Sequence, residues 1–221
     1  MKVGIVVFPG TNCEEDTYHA LKFLGYKCNY IFHSDNALNL AKYKMLVLPG
    51  GFSFGDYVAS GRLAKFSPVV FKIKEYINNK QGLVLGICNG FQILCEASLL
   101  PGVLTYNINN KFISKYADLE LKNNFFNNKC STNINLPLAH FEGRFYANEN
   151  DIKIIKEKNM DFLKYKDNIN GSILSIAGLY DKEKKIIGLM PHPERAVFDY
   201  SKSHDGRIFF ELIKEDILLK I

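Results

Sequence analysis

Apolar and polar residues alternate in blocks along this chain, and the blocks read in turn as strands and helices. Lys2 to Val7 is a short apolar run, predicted as strand one. Asn12 to Leu24 follows as a helix, opened by Glu14, Glu15 and Asp16, whose charges suit the positive end of a helix macrodipole. Cys28 to Phe32 reads as strand two and Met45 to Leu48 as strand three. A long helix over about Ser67 to Asn78 precedes strand four, Leu83 to Ile87, which runs straight into another helix. Strands alternating with helices predict an α/β chain: a flavodoxin-like, doubly wound, mostly parallel sheet ordered 2-1-3-4-5 and covered on both faces. From Val103 short β-like segments take over, with Asn-rich turns such as Asn123 to Asn128, which predicts added antiparallel strands in the C-terminal half. A last helix over Asp205 to Leu219 closes what reads as a single domain, residues 1–221, with no internal repeat or linker.

The junction of strand four with its helix carries the first chemistry. Gly86-Ile87-Cys88-Asn89-Gly90 sets one cysteine between two glycines, the pattern of a nucleophile elbow, where a sharp strand-to-helix turn holds the central side chain over the sheet end. Unpaired N–H groups and the macrodipole at that helix start favour a thiolate. A free cysteine is also a common core residue; the flanking glycines after an apolar strand favour the nucleophile. Such a thiol needs a base and the base an orienting group. Met190-Pro191-His192-Pro193-Glu194-Arg195 offers both after the apolar strand Ile186 to Leu189. Prolines on either side restrict the backbone of His192, and in an extended stretch Glu194 projects to the same side. Pro49-Gly50-Gly51 ends strand three, so the Gly51 N–H and the Asn89 N–H are candidates for an oxyanion hole. There is no Gly-Lys-Ser/Thr pattern, and therefore no sequence support for an ATP site.

These pieces, with Phe8-Pro9-Gly10-Thr11-Asn12-Cys13, Phe52-Ser53-Phe54-Gly55-Asp56-Tyr57 and Ala139-His140-Phe141-Glu142-Gly143-Arg144, resemble the class I (triad-type) glutamine amidotransferases, and among them the glutaminase subunits of purine biosynthesis. The resemblance spans essentially the whole chain. It implies hydrolysis of L-glutamine through a Cys88 thioester, with His192 oriented by Glu194 and the oxyanion held by Gly51 and Asn89. It also implies glutamine contacts from Gly50, Gln92, His140 and Phe141, although the amide of Gln92 and the 140–144 segment read equally as core and half-buried strand. No metal or cofactor is implied for this chain. ATP and Mg belong to an ATP-binding synthetase subunit, assisted by a small accessory subunit, which uses the ammonia to convert formylglycinamide ribonucleotide to formylglycinamidine ribonucleotide. Two stretches depart from the family pattern: Val58-Ala59-Ser60 replaces an Arg-Ala-Gly run, and Phe141 stands where a small residue is usual. The alternatives are a glutaminase subunit of another pathway, a stand-alone cysteine hydrolase, or a non-catalytic binding module.

Composition narrows the setting. With 221 residues, 47% of them hydrophobic, the chain can bury one substantial core. A formal charge of +5 is mild, and Lys182, Lys184 and Lys185 read as a solvated hairpin turn, so nucleic acid is not an expected partner. No apolar run reaches the roughly 20 residues that span a bilayer, and no signal-peptide layout precedes the first strand, which predicts a cytoplasmic protein without membrane contact. Five cysteines, Cys13, Cys28, Cys88, Cys95 and Cys130, lack metal-like spacing and read as reduced thiols.

Overall fold

The structure, a computed structural model, describes residues 1–35, 39–122 and 132–216. Its frame is a nine-stranded sheet. Strands β1 (Lys2–Val7), β2 (Lys27–Phe32), β3 (Met45–Leu48) and β4 (Leu83–Ile87) pair in parallel in the order β2-β1-β3-β4. Helix α1 (Glu14–Phe23) links β1 to β2, and α2 (Pro68–Asn78) leads into β4. Met45 to Leu48 and Leu83 to Ile87 are wholly buried, as apolar runs must be when helices cover both faces of a parallel sheet. The C-terminal half adds β5 (Val103–Thr105), β6 (Ile113–Leu121), β7 (Thr132–His140), β8 (Arg144–Tyr146), helix α4 (Glu149–Glu157), β9 (Leu163–Tyr165), β10 (Ile176–Asp181), β11 (Ile186–Leu189) and helix α5 (Asp205–Asp216). Antiparallel pairing of β11-β10-β9-β6-β7 completes the sheet.

The elements predicted in the first half match within two residues. The position after β4 is different: it is occupied by β11, the second strand of a late hairpin, while β5 pairs with β8 in a separate two-stranded ribbon. β5 has only three residues, none of them buried, whereas β11 is buried along its whole length and runs parallel to β4 with Gly188 opposite Gly86. These glycines let α3 (Asn89–Glu96) lie flat on the sheet. A Cβ at Gly86 would come within 2.6 Å of Leu94, and one at Gly188 would collide with Phe91. The predicted 123–128 turn and the end of the last helix fall outside the described residues. The hairpin at Asp181 to Ile186 forms as expected. Among the described residues no helix is long and apolar enough to cross a membrane.

Candidate active site

Because β4 and β11 run side by side in the same direction, the residues that follow them emerge at one sheet edge. Cys88 follows β4 with φ 50° and ψ −104°, left-handed geometry that a non-glycine residue adopts only when its surroundings impose it. Here they do. The Cys88 N–H donates to the Leu189 carbonyl of β11 at 2.8 Å, and its own carbonyl accepts from the Phe91 and Gln92 N–H groups in the first turn of α3. The thiol donates to the Ala139 carbonyl at 3.7 Å.

His192 comes off β11 and is tied by its N–H to the Pro137 carbonyl at 2.9 Å. Its Nδ1 lies 2.7 Å from Glu194 Oε1, with His192 1% and Glu194 0% exposed. The pairing matches the sequence reading, but its backbone basis does not. Pro193 to Arg195 form a 3-10 turn, not an extended stretch, and Pro193 with its fixed φ starts it. Burial opposes a charge on His192. The Glu194 carboxylate, and then Cys88, overcome this and hold its pKa well above the ordinary imidazole value. Nε2 is buried with no hydrogen-bond partner among the described residues.

Gly51 has φ 141°, and a Cβ there would stand 2.7 Å from the Asn12 nitrogen. The double glycine is laced to the loop after β1: the Cys13 N–H donates to the Gly50 carbonyl and the Phe52 N–H to the Gly10 carbonyl. Gly50 lines the imidazole and makes room for it. The Asn89 N–H sits at the first position of α3, where no intrahelical acceptor exists. Its side chain ties the neighbouring loop to the nucleophile helix, accepting from the Ser53 N–H at 3.2 Å and donating to Gln92 Oε1 at 2.9 Å.

The expected glutamine contacts divide. Gln92 is buried with its amide engaged on both sides, since Nε2 also donates to the Glu142 carbonyl at 2.6 Å. It bridges α3 to the 139–144 segment. His140 is buried with neither ring nitrogen partnered. Phe141 turns its ring outward, 41% exposed and 5.2 Å from the Tyr106 ring, so it stands at the rim and does not crowd the interior.

Two residues escaped the sequence reading. Asn107, 1% exposed, donates to the His140 and Lys111 carbonyls and accepts from the Gly143 N–H, which fixes the turn at 140–143. Cys13 lies against His192 and Glu194: its sulfur accepts from Arg195 Nη2 at 3.1 Å and lies within 4.8 Å of ligand atoms on both. Its place in the loop after β1, beside the strand-three glycines, is the signal that could have flagged it. Cys13, His192 and Glu194 suit a cation poorly. A guanidinium already occupies the sulfur, burial pushes the thiol pKa far up, and His192 Nδ1 is taken by Glu194. A cavity of about 450 Å³ lies elsewhere, at the opposite end of α3, lined by Cys95, Asp151, Lys158 and Asp181.

A thiol on an elbow, an imidazole held by a buried carboxylate, and backbone N–H groups at two neighbouring strand ends can together perform acyl transfer from an amide. On a doubly wound sheet this is the arrangement of a triad-type glutamine amidotransferase. Residues 1–211 match the CobB/CobQ-like glutamine amidotransferase domain family. The chain is 46% identical over 215 residues to phosphoribosylformylglycinamidine synthase subunit PurQ of Helicobacter hepaticus, covering 96% of each, and 47% identical over 200 residues to that of Campylobacter jejuni, covering 89% and 88%. It superposes on a chain of the PurLQS structure from Thermotoga maritima with TM-score 0.85 and 38% identity over 96% of each chain. The chain belongs to the glutamine amidotransferase family and, within it, to the PurQ subunits of phosphoribosylformylglycinamidine synthase.

Proposed function

We propose that this chain, acting as one amidotransferase domain, hydrolyses L-glutamine on Cys88 and supplies the ammonia for formylglycinamidine ribonucleotide synthesis in the purine pathway. The Cys88 thiolate attacks the side-chain carboxamide carbon, and the Gly51 and Asn89 N–H groups receive the developing oxyanion. Protonated His192 gives its Nε2 proton to the departing nitrogen, the C–N bond breaks, and ammonia leaves a γ-glutamyl thioester. Water then attacks the thioester carbon and gives a proton back to Nε2; the C–S bond breaks to release glutamate and thiolate. Glu194 holds the imidazole through both steps.

The observation that carries this reading is the 2.7 Å pairing of His192 with Glu194 beside a thiol on a strained elbow. Membership among PurQ subunits selects the pathway. The relative solved as PurLQS supports an ATP-binding synthetase subunit and a small accessory subunit as partners. ATP and Mg are assigned to that synthetase, formylglycinamide ribonucleotide is its acceptor, and the setting is the cytoplasm. The test is assembly with both partner subunits. Cys88→Ala should abolish glutamine-dependent synthesis and leave ammonium-dependent synthesis nearly intact; equal loss of both would overturn the two-site reading.

A further inference from the structure

His140 ends a row. Along β7 the side chains of Ile134, Leu136, Leu138 and His140 alternate onto one buried face, and the first three are aliphatic. Packing alone would be served by a fourth aliphatic residue. An imidazole here is 3% exposed, and neither nitrogen has a hydrogen-bond partner among the described residues. Buried polar groups are almost always paired with protein or with ordered water, and leaving them bare costs about 1–3 kcal/mol each.

The ring is placed on purpose by its surroundings. Gly143 packs against the imidazole so closely that a Cβ there would overlap it, and Asn107 fixes both ends of the turn by accepting from the Gly143 N–H and donating to the His140 carbonyl. The neighbouring Ala139 carbonyl accepts from the Cys88 thiol, so the ring stands one residue from the group that binds the nucleophile. His192 is close enough for its charge to act on His140, and with Nδ1 held by Glu194 its other nitrogen is the one that faces the Cys88 thiol. Burial first, and that charge second, keep His140 neutral at physiological pH, with one nitrogen able to donate and the other to accept. His192 therefore stands between the Cys88 thiol and the His140 ring, interacting with both.

We propose that His140 holds the water that hydrolyses the Cys88 thioester. The inference rests on the glutaminase reading above. The water donates one hydrogen to His192 Nε2 and is fixed by a second hydrogen bond to the His140 ring. As it attacks, its oxygen bonds the acyl carbon, its proton passes to Nε2, and the C–S electron pair returns to Cys88 as thiolate. His140 does not change protonation; it is a positioning residue for deacylation and has no part in acylation.

The test uses the complete synthetase complex carrying His140→Leu or His140→Phe, the second filling the ring slot with a ring that lacks nitrogens. At saturating reagent, where any loss of glutamine binding at His140 no longer matters, a diazoketone analogue of glutamine should label Cys88 in both variants within about twofold of the native maximal rate, because the labelling step requires only the acylation machinery. Maximal glutamate release should fall by on the order of a hundredfold, the cost of a misplaced reactant. A γ-glutamyl adduct on the Cys88 peptide should accumulate and be detected by mass spectrometry. Hydroxylamine, a nucleophile that does not depend on the water site, should restore turnover by forming the hydroxamate. Unchanged glutamate release, a parallel fall in labelling and release, or release that falls without adduct would each overturn the assignment. Failure of native Cys88 to be labelled at all would overturn the glutaminase reading instead.

Discussion

Gly50 lies against His192: a Cβ built on Gly50 would stand 2.7 Å from the imidazole Cε1 and 3.1 Å from the Cys13 sulfur. The ring is held through Nδ1 by Glu194 at 2.7 Å, and the backbone N–H of His192 is tied to the Pro137 carbonyl, so the ring cannot move away from Gly50 without breaking one of these bonds. Gly50→Ala should therefore displace the base. A misplacement of about 1 Å costs on the order of a hundredfold in rate, while the overpacking costs about 1–3 kcal/mol of stability. Steady-state glutamate release and a denaturant melt check both; a native kcat/KM in Gly50→Ala would show that the contact does not position the imidazole.

The second prediction separates base from orienter. His192→Ala removes the imidazole that faces Cys88, whereas Glu194→Gln keeps a hydrogen-bond acceptor at Nδ1 and loses only the charge. Both should lose glutamine-dependent turnover, Glu194→Gln by at least about tenfold less, since orienting carboxylates in triads cost less than the base when removed. Ammonium-dependent synthesis in the assembled complex should stay near native in both. Equal glutamine kinetics for the two variants would argue that Glu194 does more than hold the ring.

Much of this was legible in the sequence, for identifiable reasons. Apolar blocks such as Met45 to Leu48 and Leu83 to Ile87 declare buried parallel strands, and glycines around Cys88 declare an elbow. Strand order was less legible, because β11 reaches the place beside β4 through tertiary pairing of Gly188 with Gly86, which no local pattern encodes. The pairing of His192 with Glu194 was anticipated from an extended backbone, yet a 3-10 turn at Pro193 produces it. Cys13 read only as one of five reduced thiols, and it is the folded loop after β1 that brings it to His192 and Glu194. Asn107 gave no signal because its partners, His140 and Gly143, are more than thirty residues away in the chain.

Acid stability follows from His140. Its pKa falls from the ordinary 6.5 to about 4 in the folded chain, chiefly through burial and then through the charge on His192. As pH drops below 6.5 the unfolded chain takes up a proton at this position and the folded chain does not, so stability declines until pH reaches about 4, by about 3 kcal/mol in all. His192 moves the other way: its folded pKa is raised, its contribution is complete below 6.5, and it is lost only as alkaline pH removes its proton. The two windows are therefore separate. Denaturant midpoints between pH 4 and pH 7 should slope less steeply for His140→Phe than for the native chain. Parallel slopes would show that His140 is protonated alike in both states.

Val58 offers a prediction of the opposite sign. It lies in the Val58-Ala59-Ser60 stretch that departs from the family pattern, with φ 77° and its side chain 75% exposed. A β-branched residue in left-handed backbone is a true outlier and costs about 1–3 kcal/mol, while an exposed side chain returns little packing energy. Glycine adopts this φ freely; its larger entropy in the unfolded chain takes back about 0.5–1 kcal/mol. The strain is the larger effect, so Val58→Gly should stabilise the isolated chain by about 1 kcal/mol. Asp56, two residues earlier, keeps its contact with Asn89 Nδ2, so the junction of this loop with the nucleophile helix is untouched and labelling of Cys88 should proceed at the native rate. A thermal or urea melt decides the point, and a less stable Val58→Gly chain would mean that the valine side chain makes a contribution larger than its strain.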